Sequence, residues 1–102
     1  MIEVVAPEQI VVGQPFEVTY TADKRVAGRF RLTDGKDLVT FTLTEMGDGG
    51  PVKSPQTGTH HRVRGREGRF LISDWGAPEV GSELVLRFEG VKRWLKVVAA
   101  EG

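Results

Sequence analysis

The last strong pattern in the chain, Gly81 to Ala100 (GSELVLRFEGVKRWLKVVAA), constrains the fold most. Leu84, Leu86 and Phe88 alternate with Glu83, Val85, Arg87 and Glu89, the period-two signature of a strand with one buried face. Glu89-Gly90 reads as a tight turn and Val91 to Ala99 as the returning strand. A two-residue turn pairs Glu83 with Lys96 and Val85 with Trp94. It also sets Arg93 opposite Leu86 on the inward face and Arg87 opposite Lys92, both unfavourable. A longer turn brings Trp94 inward opposite Leu86, with Lys92 and Lys96 sharing its parity; a bulge is a third solution. Trp94, Lys92 and Lys96 together read better as an exposed surface than as core.

The rest of the chain repeats the period. Ile2, Val4 and Ala6 share one side of a first strand that Pro7 ends, because proline cannot donate to a ladder. Ile10 to Val12 is a second short strand, closed by Gly13-Gln14-Pro15. In Phe16 to Ala22, the residues Phe16, Val18, Tyr20 and Ala22 point inward. Arg29 to Leu32 runs into Asp34-Gly35, a favoured hairpin dipeptide, and Leu38 to Thr44 returns. A two-residue turn there pairs Phe30 with Val39 and sets the Phe41 ring over Gly28. Glu45 to Thr59 has no period and holds four glycines and two prolines, so a long loop is expected at 45–59. His60 to Arg64 reads as a short edge strand, Gly65 to Gly68 as a turn, and Arg69 to Ser73 as a strand with Phe70 and Ile72 inward. Asp74 to Gly81 is a turn-rich connection holding Trp75.

No stretch has helical periodicity. Seven to nine short strands at regular spacing, in 102 residues, predict a single all-β domain over 1–102 built as an antiparallel β-sandwich. Pro7 to Ala22 resembles the first strands of bacterial immunoglobulin-like and fibronectin-type modules, and Gly81 to Ala99 resembles their last two. The resemblance covers about a third of the chain and lacks the Cys…Trp…Cys signature of antibody domains. It implies an immunoglobulin-like sandwich and carries over no catalytic residues.

Lys plus Arg and Asp plus Glu both number 14, so the net charge is zero. The charge is unevenly placed: residues 24–69 are basic and the two ends acidic, an arrangement that can create a field without a net charge. Without cysteine the chain has no disulfide, thiol nucleophile or thiolate metal site. The lack of Asn and Cys fits a thermophilic source. MIEVVAPEQI has no basic n-region and no stretch is long and apolar enough to span a bilayer as a helix. The expected location is the cytoplasm or the interior of a larger particle such as a virion.

Candidate contact residues fall into two groups. His60, His61, Arg62, Arg64, Arg66 and Arg69 form a basic segment. It reads either as an edge strand protected by charge or, together with Arg29 and Arg31, as a phosphate-contacting patch lacking interleaved aromatics. The two histidines, adjacent on a strand, point to opposite faces and so do not share a metal; both are expected to be partly exposed. The second group is Trp75 and Trp94 with Lys92 and Lys96, a surface for protein contact or for stacking on a sugar. Ser54, Ser73 and Ser82 lie in no nucleophile elbow, and Gly47-Asp48-Gly49-Gly50 follows no βα unit. The sequence therefore predicts a non-catalytic structural or protein-interaction module without cofactor or metal, self-associating or bound to a protein, such as a phage tail or capsid-decoration component. The alternatives are a nucleic-acid-binding domain acting through 60–69 and a carbohydrate-binding module using Trp75 or Trp94.

Overall fold

One strand organises the structure, a computed structural model that describes residues 1–101. Strand β3 (Phe16–Thr33) follows β1 (Ile2–Val5) and β2 (Gln9–Val11), and precedes β4 (Leu38–Val39) and β5 (Phe41–Gly47). The chain continues through β6 (Gly50–Pro51), β7 (Gln56–Gly58), β8 (His61–Ser73), β9 (Glu83–Phe88) and β10 (Val91–Val98). No helix occurs among the described residues. The strands form one mixed sheet in the order β2-β10-β9-β3-β8-β5-β6, with β1 and β4 also paired to β3 and β7 paired to β5.

The expected strands Phe16–Ala22 and Arg29–Leu32 are thus one element, and so are the expected pieces on either side of Gly65–Gly68. The apparent turns are the two sides of one bulge. Thr21 pairs with Glu67 and Val26 with Gly65, so Ala22, Asp23, Lys24 and Arg25 lie opposite Arg66 alone. Gly65 has φ 123°, a backbone conformation that a side chain disfavours. The bulge bends β3 sharply. The rings of Tyr20 and Phe30 lie 6.3 Å apart, whereas ten residues of straight strand would separate them by about 33 Å. The inner faces of the two halves therefore meet across one core. Inward parity in β8 changes at the same place, from His61 and Val63 to Phe70 and Ile72.

Four aromatic rings fill the bend. Phe30 and Phe88 stack at 4.4 Å, Tyr20 and Phe88 meet at 4.8 Å, and Phe30 and Phe70 meet edge-on at 5.4 Å. The Tyr20 hydroxyl donates to the Gly65 carbonyl at 3.2 Å, tying the cluster to the bulge. All four rings are buried, as are Val18, Leu32, Ile72, Leu84, Leu86, Leu95 and Val97.

Pairing across the ends departs from an all-antiparallel sheet. Pro7 interrupts the N-terminal segment, so β1 lies antiparallel to β3 and β2 runs parallel to β10. The Lys96 amide donates to Glu8 and the Val12 amide to Val98, holding that parallel edge. The first hairpin also differs from expectation. Leu32 pairs with Val39 and Thr33 with Leu38, a shift of two residues. The Asp34 carboxylate accepts from the Lys36 and Asp37 amides, and this closes a loop over 34–37 in place of a two-residue turn. Phe41 then pairs with Gly58, not Gly28. Gly28 is covered by the side chains of Phe88 and Glu89. The C-terminal hairpin keeps its expected two-residue register: Glu89 and Gly90 have φ of 46° and 83°, and Trp94 pairs with Val85. The 45–59 segment is not a structureless loop, because β5 runs to Gly47 and β6 and β7 both pair with β5.

Candidate anion-binding sheet face

Opposed residues on neighbouring strands share a face, so the register maps the outer surface of β10, β9, the second half of β3 and the first half of β8. Lys92 stands opposite Arg87, and Arg87 opposite Arg31. Two residues back along β3, Arg29 stands opposite Arg62, and Ala27 opposite Arg64. Inward neighbours Phe30, Leu32, Val63, Leu86 and Phe88 are buried, which fixes these charged residues outward. His60, Arg29, Arg31, Arg62 and Arg64 line an open depression of ≈ 620 Å³ with Glu89 as its only carboxylate.

Opposed like charges destabilise a sheet, and here they recur in two successive rows. No salt bridge relieves them: the ion pairs among the described residues are Met1 with Asp23 and Lys53 with Glu45. The next row in the other direction is largely apolar. Trp94 stands opposite Val85, Val85's other neighbour is Thr33, and Thr33 meets Leu38. Trp94 is 55% exposed and Leu38 is exposed as well. Lys96, opposite Glu83, completes the face beyond Trp94. Arg87 Nε and Thr33 Oγ1 are buried without a hydrogen-bond partner, and both border Val85 on this face.

The two groups of candidates are therefore redistributed. Arg62 and Arg64 join Trp94, Lys92 and Lys96 on one sheet face. Arg69 leaves that group, because it lies beyond the bulge and donates to the Gly47 carbonyl at 2.7 Å. Arg66 sits exposed at the bulge itself. As expected, the first half of β8, His61 to Gly65, is an edge that pairs with β3 alone, whereas Phe70 to Ser73 lies between β3 and β5. His60 is exposed, but His61 is 4% exposed. The His61 ring packs on Phe41 at 4.4 Å, and its Nε2–H donates to the carbonyls of Phe41 and Gly58 at 3.0 Å each. Buried among backbone acceptors, His61 is structural and not a contact residue. Trp75 is likewise removed from the surface. It is 2% exposed, meets Phe16 edge-on at 6.0 Å and donates its Nε1–H to Gln14 O at 2.9 Å. It anchors the 74–81 connection to the Gly13–Pro15 turn and offers no platform for a sugar.

Arg93 resolves the conflict in the hairpin. It has inward parity opposite Leu86, yet its side chain reaches out of the core and donates from Nε to Val4 O at 2.9 Å. That bond links β10 to β1. Sequence reading already set Arg29 and Arg31 beside the 60–69 segment in the phosphate-contacting alternative, but it overlooked Arg87 as a contact residue. The signal of Arg87 was present in the outward parity of β9, but only the β9–β3 pairing brings it beside Arg31.

No protein-family model, curated protein or solved structure matches the chain.

Proposed function

We propose that this protein is a non-catalytic binding module that engages a polyanionic partner through the outer face of β10, β9, β3 and β8. The supporting observation is the unrelieved opposition of Lys92, Arg87 and Arg31 in one row and Arg29 and Arg62 in the next. A chain with as many carboxylates as cations has the means to neutralise those rows and does not. Retained local conflict of this kind is expected where a surface serves binding. A polyanion supplies the missing countercharge and releases its own counterions on contact.

The test is a salt titration of binding to labelled polyanions. The six cations Arg29, Arg31, Arg62, Arg64, Arg87 and Lys92 set an upper bound of about −4 on the slope of log K against log salt, at about −0.7 per contact for a single strand. Binding at low salt that weakens steeply as salt rises is the expected result. Absence of binding to every polyanion at low salt contradicts the proposal.

An acidic protein surface is a second occupant, favoured by the exposed Glu3, Glu8 and Glu17 of another copy of the chain. Sedimentation at rising concentration separates it: self-association abolished by salt supports it, and a strict monomer counts against it. The immunoglobulin-like sandwich belongs to the same proposal. The face-to-face halves of the bent sheet support it, and the parallel β2–β10 pairing is the feature it has to accommodate.

A further inference from the structure

We infer that the polyanion is a single-stranded nucleic acid, with Trp94 stacking on a base while the arginine rows hold phosphates. This deepens the proposed function and rests on it. Trp94 is the only aromatic ring among the large exposed apolar side chains of the described residues, and it lies on the cationic face rather than elsewhere. Along β10 it stands between Lys92 and Lys96, each two residues away, or about 7 Å. Across the sheet, its row of Val85, Thr33 and Leu38 lies immediately beside the row of Arg87 and Arg31. A flat apolar strip bordered by cations matches a ligand whose planar bases alternate with phosphates. Polycarboxylates carry the charge but have no ring to stack, and sulfated sugars, which can pack a C–H face on an indole, are distinguished by the heparin titration below.

Breadth argues against entry into the major groove of a duplex. Four strands span about 14 Å between outer strand axes, before side chains are added. The major groove, about 12 Å wide, admits a helix or a two-stranded ribbon, not a sheet of this width. A single strand lies along such a face with its bases free. Two unmet polar atoms sit at the seam between the strip and the cations, Thr33 Oγ1 and Arg87 Nε. If the Arg87 side chain swings outward, its Nε–H reaches a ligand oxygen and its unmet state ends.

Tryptophan fluorescence provides the test, because Trp75 is buried and quenching on binding reports Trp94. Titration with oligo-deoxythymidine and oligo-uridine is compared with heparin, polyglutamate and a duplex of the same length. The single strands are expected to quench and to bind more tightly than the duplex. Followed by the anisotropy of end-labelled ligands, since the variant lacks the reporting ring, Trp94→Ala is expected to weaken single-strand binding by about 5- to 150-fold, the range for loss of one stacked base, and to leave heparin binding unchanged. Trp94→Phe restores most of it. Far-ultraviolet dichroism and the remaining Trp75 emission confirm that the variants fold. Equal binding of all polyanions, independent of Trp94, overturns the single-strand inference and leaves the polyanion reading standing. Tighter binding to duplex overturns the inference as well. Binding to none overturns both.

Discussion

Tyr20 shows how one side chain joins the core to the bend. Its ring packs in the aromatic cluster and its hydroxyl donates to Gly65 O. Burial, reinforced by the Glu45 carboxylate and opposed by Arg25, pushes the phenol above its ordinary value of 10.0. A phenol that resists ionisation when folded contributes fully below that value, and its contribution is lost as the pH climbs through the raised one. Stability should therefore fall in strong alkali. Tyr20→Phe removes the hydrogen bond and lowers stability near neutrality by about 1 kcal/mol. It should also flatten the alkaline fall, as urea midpoints on either side of pH 10 would show. An unchanged alkaline slope would assign that fall to other groups. The buried Trp75 and His61 illustrate what single residues conceal. Their neighbours in sequence are polar and turn-forming, and burial comes from Phe16, Gln14, Phe41 and Gly58, which only the fold brings near.

At the scale of elements, legibility depended on whether the information was local. The Glu89-Gly90 hairpin was legible as a tight turn but not as a single register, because Arg93 opposite Leu86 spoke against the two-residue form; that form is the one adopted, and Trp94 stands outside as it requires. The Asp34-Gly35 hairpin was misread by two residues, because the same dipeptide that favours a tight turn carries a carboxylate that captures the Lys36 and Asp37 amides. Strand continuity through the bulge was hidden for a different reason. Asp23-Lys24-Arg25 and Gly65-Arg66-Glu67-Gly68 have the composition of turns, and only their pairing across the sheet keeps the strands unbroken. Gly65 is the hinge of this feature, with φ 123° and the carbonyl that receives Tyr20. Gly65→Ala should destabilise by about 1 kcal/mol or more, since alanine is strained at positive φ. Gly58→Ala, at ordinary φ with open space around its Cβ position, should be nearly silent in the same denaturation experiment.

The whole molecule turns a neutral composition into a polarised surface. Its radius of gyration, 13.2 Å, is that of a fully compacted chain of this length, about 13 Å. The sequence revealed a basic middle and, separately, an exposed Trp94 with its lysines. It did not reveal that β9 lies beside β3, which sets Arg87 and Lys92 in line with Arg31 and closes the gap between the two groups. On the proposed function these rows are held against the stability of the sheet because they bind an anionic partner. The most direct measurement of that proposal is the paired change in melting temperature and polyanion affinity for Arg31→Thr combined with Arg62→Thr. Threonine suits a strand, and the double substitution removes one like-charge opposition from each row, Arg31 with Arg87 and Arg62 with Arg29, at about 0.2–1 kcal/mol each. The account predicts a rise of a few degrees in melting temperature together with weaker, less salt-dependent binding. A lower melting temperature with unchanged affinity would contradict it.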